Sequence, residues 1–100
     1  MSYTYQIHPL VERNFEEGYI WYEERQKGLG ERFVNAVDTK IKQILQNPEV
    51  YGSKGVKSIR EAEVDRFPYL VVYKINKRKK EIYINSIHHT KKHPRKKYRK

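Results

Sequence analysis

The chain has 100 residues, a formal net charge of +10 and no cysteine. That length allows one domain with one modest core, and the missing thiols exclude disulfides, thiolate metal sites and cysteine nucleophiles. No apolar run approaches the roughly 18 residues of a membrane-spanning helix, and "MSYTYQIHPL" lacks a signal-peptide pattern, so the expectation is a soluble, cytoplasmic protein without membrane association.

In chain order, "YTYQIH" (Tyr3–His8) alternates and stops at Pro9, which predicts a short first strand. From Leu10 to Lys27 the period changes. Val11, Phe15, Tyr19, Tyr22 and Gln26 follow helical steps, with most of the glutamates off that stripe. "KGLGE" breaks the helix at Gly28 and Gly30. Phe33, Val34, Val37, Ile41, Ile44 and Leu45 then mark a second helix from Glu31 to Gln46, ended by "QNP". After a loop over Tyr51–Gly55, "VKSIREAEV" (Val56–Val64), "YLVVYKI" (Tyr69–Ile75) and "EIYINSIHH" (Glu81–His89) read as strands. "DRFP" and "NKRKK" separate them. Such short turns predict antiparallel pairing. The fold class is therefore α+β: an N-terminal strand, a helical hairpin, then an antiparallel sheet with both helices on one face. Residues 1–90 form the single domain, and residues 91–100 are a basic tail.

Charge is segregated along the chain. Residues 1–50 hold six Lys/Arg and eight Asp/Glu, and residues 51–100 hold sixteen and four. Such asymmetry favours a polyanionic or acidic partner. The tail residues Lys91, Arg95, Lys96, Lys97 and Arg99 are the natural handle. Trp21 lies off the stripe of its helix and is a candidate interface anchor, or a ring on which a cation of the tail stacks. Both faces of the central strand are largely apolar. One packs under the helices, and the other calls for a different cover.

Candidates for chemistry are few. His88 and His89 are neighbours on a strand, so they point to opposite faces and cannot chelate one metal. No thiol or acidic cluster accompanies them. His89 is a general acid–base candidate by its ordinary pKa, or a structural strand-end histidine. Gly28 and Gly30 follow a helix and lack a third glycine, so no phosphate-binding loop is present. Arg60 and Arg66 bracket the loop before "FPY". Either holds a phosphate or carboxylate as a fork, or pairs with a nearby acid on the surface. The expectation is no cofactor and no metal.

A strand, a helical hairpin broken by "GLGERF", then "NP", "IR", "RFPYLVVY" and a strand ending "HHTKKHP" together resemble the RelE/ParE superfamily of bacterial type II toxin–antitoxin toxins, on its ParE-like, plasmid-stabilisation side. The resemblance spans Tyr3 to about Tyr98. It implies a growth-inhibiting toxin neutralised by a cognate antitoxin, whose acidic or amphipathic C-terminal segment wraps the toxin. RelE-like members cleave messenger RNA on the ribosome without a metal. ParE-like members inhibit DNA gyrase and are not enzymes. RelE-like nucleases commonly carry an arginine where this chain has Leu70, and a leucine cannot balance charge on a phosphorane. The resemblance therefore implies a ParE-like action on gyrase or another protein target. The alternative is a RelE-like endoribonuclease using Arg60, His89, Lys92 and Tyr98.

Overall fold

The computed structural model describes residues 3–52 and 59–91. The expected tail beyond Lys91 and the first part of the "VKSIREAEV" segment lie outside that range. Six elements follow one another: β1 (Thr4–Ile7), α1 (Pro9–Arg25), α2 (Leu29–Gln46), β2 (Ile59–Glu63), β3 (Tyr69–Asn76) and β4 (Glu81–His89). The sheet order is β1-β4-β3-β2.

The α+β class is as expected, and the first strand, whose partner the sequence left open, makes the sheet mixed: β1 pairs parallel with β4, Thr4 against Glu81 through Ile7 against Ile84. A parallel neighbour needs a long crossover. The helical hairpin and two further strands supply it, so a strand that is first in sequence docks beside the last. β2–β3 and β3–β4 are antiparallel as expected.

α1 starts where its sequence dictates. Pro9 occupies the first turn, where a missing N–H costs nothing, and His8 Nδ1 accepts the Leu10 N–H at 3.0 Å. The buried stripe of α1 runs through Val11, Phe15, Gly18 and Tyr22, whereas Tyr19 and Gln26 are exposed. Steps of 4, 3 and 4 stay on one face of a 3.6-residue helix, while two successive steps of 4 drift off it. Gly18 carries no side chain because Phe33 of α2 lies against it: a Cβ there would sit 2.6 Å from Phe33 Cζ. The turn between the helices is held from α1. Glu23 accepts the Gly28 N–H at 2.9 Å on one carboxylate oxygen and the Gly30 N–H at 3.0 Å on the other. A charged side chain thus satisfies donors at the N-terminus of α2, and Gly28 takes the left-handed conformation the turn demands, φ 88°.

The core lies between the helices and one sheet face. Phe33, Val37, Ile41 and Ile44 of α2 meet Val11, Ala62, Val64, Val71, Tyr73, Ile82, Ile84 and Ile87. β4 keeps to this face along its whole length only through a β-bulge. Val72 opposes Ser86 but Tyr73 opposes Ile84, so Asn85 is an extra residue. The bulge lets Ile82, Ile84 and Ile87 share one face despite their odd spacing. It also sends His89 to the helix side and His88 to the opposite side. On that opposite face Ile59, Val72, Ser86 and His88 are buried, and Leu70 and Lys74 are partly exposed.

The segment after α2 is clamped by two neighbouring strand residues. Tyr73, fully buried, donates its hydroxyl to the Pro48 carbonyl at 2.6 Å. Arg60, its cross-strand partner, donates to the carbonyls of Glu49 and Tyr51.

Candidate functional site

The main concavity is an open cleft of about 750 Å3 between α1 and the ends of β3 and β4. Arg13, Glu17 and Trp21 come from α1 at four-residue spacing, so they form one row along its rim. Tyr69 and His89 come from the sheet, and Lys91 from the turn just beyond β4. Asn14 stitches the two walls together: its side-chain oxygen accepts the Ile87 N–H at 3.0 Å, across 73 positions of sequence.

His89 sits at the floor of the cleft. Its ring meets that of Tyr69, its strand partner, edge-on at 5.0 Å between centroids. Nδ1 accepts the Lys91 N–H at 3.1 Å. That bond places the proton of the neutral ring on Nε2. Thr90 N donates to the Pro68 carbonyl at 2.9 Å and extends the pairing beyond the strand. Tyr69 packs on Tyr22 and Phe33. Burial first, then the neighbouring Tyr22 and Glu17, push its phenol up to about 12. It is neutral at physiological pH and forms an apolar wall of the cleft through its ring contacts.

Trp21 is half exposed at the cleft rim. The Arg25 guanidinium lies over its ring at 3.4 Å and also donates to the Trp21 carbonyl at 3.0 Å. A cation does stack on this tryptophan, as its sequence position suggested, but it comes from the same helix. Tyr19 and Ile20 are exposed beside it.

Arg60 does not join this cleft. It opposes Tyr73, four residues along β3 from the partner of His89, and it lies two strands across from β4. Strand geometry puts Arg60 and His89 on the order of 15 Å apart. Its guanidinium binds the backbone carbonyls of Glu49 and Tyr51. Arg66 is exposed in the turn before Phe67, at φ 70°. Of the remaining candidates, Lys91 lines the cleft and is exposed. Lys92, Arg95, Lys96, Lys97, Tyr98 and Arg99 lie outside the described residues. Among the described residues, no three His, Asp or Glu side chains gather as a metal site, and no helix is long and apolar enough to cross a membrane. Sequence reasoning overlooked Arg13, Asn14 and Glu17. The four-residue row ending at Trp21 was the available signal.

A sequence profile of the ParE toxin of type II toxin–antitoxin systems, parDE, matches residues 5–94. The chain belongs to the ParE toxin family. Solved structures agree on its fold. The chromosomal ParDE toxin–antitoxin system from P. aeruginosa superposes with a TM-score of 0.78 at 16% identity, over 90% of this chain and 98% of that one. The intact E. coli RelBE toxin–antitoxin complex gives 0.70 at 13% identity, over 91% and 100%. The isolated E. coli RelE toxin gives 0.59 at 16% identity, over 93% and 89%. No curated protein sequence matches the chain. ParE family membership accounts for the α+β architecture and the mixed sheet, and makes this chain a type II toxin.

Proposed function

We propose that this ParE-family toxin inhibits growth by binding a protein target, with DNA gyrase the first candidate, and that a cognate antitoxin with an acidic or amphipathic C-terminal segment neutralises it. The observation that carries the reading is the separation of Arg60 from His89. A ribonuclease built on these side chains needs a guanidinium and an imidazole at one phosphate. Here Arg60 clamps a loop on one flank of the sheet, His89 lies at the far end of β4, and the place where RelE-like nucleases carry an arginine holds Leu70. The separation speaks against Arg60 as the phosphate-holding group; the cations that share the cleft with His89 are Arg13 and Lys91.

The gripping surface of this proposal comprises Trp21 and Lys91 at the cleft, with Arg95, Lys96, Lys97 and Arg99 of the tail. The exposed apolar side chains of α1 and the cationic C-terminal half together suit an amphipathic, acidic antitoxin segment. The similar P. aeruginosa and E. coli structures include toxin–antitoxin complexes, which supports a partner of that kind. The test is expression of the toxin alone in a bacterial host. Growth arrest with gyrase-dependent DNA breaks and intact messenger RNA is expected. Early loss of messenger RNA, abolished by His89→Ala, would establish the RelE-like ribosome-dependent endoribonuclease instead. Co-expression with the antitoxin restores growth.

A further inference from the structure

The β3–β4 turn carries Lys77, Arg78, Lys79 and Lys80 in succession, all exposed. It lies at the opposite end of the sheet from His89 and Lys91, a full length of β3 away. It is therefore a cationic pole distinct from the cleft. The turn is held in shape. Asn76 Oδ1 accepts the Lys79 N–H at 3.1 Å. Lys80 adopts a left-handed conformation with φ 51°. Its carbonyl accepts the Thr4 N–H at 3.1 Å, which ties the turn to β1.

Lys77 pairs with Glu49 at 2.6 Å. Among the described residues Arg78, Lys79 and Lys80 make no ion pair. Asn76 to Lys80 includes no apolar side chain, so the tip offers nothing for the desolvated core of a protein interface. Three unpaired cations on a turn with a fixed backbone match a line of phosphates, where contact is electrostatic and indifferent to sequence.

We propose that the Asn76–Lys80 turn is a docking tip for the phosphate backbone of duplex DNA, used independently of the cleft. The inference does not depend on which target the toxin attacks. It gives the molecule DNA affinity without base readout, and steep salt dependence.

The test uses the full chain and a duplex oligonucleotide of arbitrary sequence, with affinity followed by anisotropy between 50 and 200 mM salt. The variant Arg78→Gln/Lys79→Gln/Lys80→Asn removes three cations, and asparagine tolerates the left-handed position. A comparison variant, Lys27→Gln/Arg32→Gln/Lys42→Gln, removes the same charge from the helical layer. Three lost phosphate contacts lower the slope of log K against log salt by about 2.7. From 50 to 200 mM salt the parent chain would then lose roughly 40-fold more affinity than the turn variant. The comparison variant should keep most of the parent slope. An unchanged slope in the turn variant overturns the proposal. So does an equal fall in both variants, which would reduce the effect to net charge. So does a loss confined to binding of phosphatidylserine-containing vesicles, which would make the turn a membrane contact.

Discussion

Removing the hydroxyl of Tyr73 should destabilise the toxin without touching its surface. Tyr73→Phe keeps the ring in a fully buried position and deletes only the donor to Pro48, at 2.6 Å. Leaving the buried Pro48 carbonyl without its donor costs about 1–3 kcal/mol, so a loss near 2 kcal/mol is expected. For a domain of this size each kcal/mol lowers Tm by roughly 4–8 °C. Arg60→Met should cost a similar amount, because its charged group holds the Glu49 and Tyr51 carbonyls of the same segment. Since both side chains pin one stretch of chain, the double variant should lose less than the sum, with a coupling of about 0.5–1 kcal/mol. Urea unfolding of the four proteins measures the cycle. Growth arrest, normalised to the amount of folded protein, supplies the functional readout. It should survive in both single variants. Strict additivity would refute the shared clamp. Loss of arrest in folded Arg60→Met would refute a structural role for this arginine and restore it to chemistry.

Glu23→Gln keeps one acceptor for Gly28 and Gly30 but loses the charge. The hairpin should weaken by about 1–2 kcal/mol, read as a lower urea midpoint. Gly18→Ala gains about 1 kcal/mol of helix propensity, yet its Cβ would press on Phe33, which is wedged against Tyr22 and Tyr69 at ring distances of 5.3 and 4.8 Å. The strain of about 1–3 kcal/mol wins, so the variant should be less stable, and adding Phe33→Leu should return part of the loss to the Gly18→Ala background. Tyr69 ionises near 10.0 when unfolded and about 12 when folded. Its neutral form is the one the fold holds, so the full contribution is present below pH 10. It is lost between about pH 10 and 12, with a slope of up to about 1.4 kcal/mol per pH unit. Tyr69→Phe should flatten that part of the alkaline unfolding curve, and an unaltered curve would sink the assignment.

Local patterning announced the elements because each local choice agrees with the packing. Pro9, Gly28 and Pro48 punctuate the helices, and the α2 stripe from Phe33 to Ile44 faces the core as its spacing requires. What local pattern could not carry is whatever depends on residues far apart in sequence. β1 has four residues, all exposed, so its hydrophobicity does not specify a neighbour. Its parallel pairing with β4 is decided by the path of the hairpin between them. The site suffered from the same blindness with one exception. The spacing of Ile82, Ile84 and Ile87 breaks the alternation of an ordinary strand, and only an extra residue can repair it. That repair is the bulge at Asn85. A bulge reverses the facing of every residue beyond it, so the irregular isoleucines already determine that His89, and not His88, shares the helix side with Trp21. The cleft is thus a consequence of the core. Isoleucine 87 has to face α1, Asn14 fixes the distance at which it does so, and the imidazole two residues later is delivered to the groove between them.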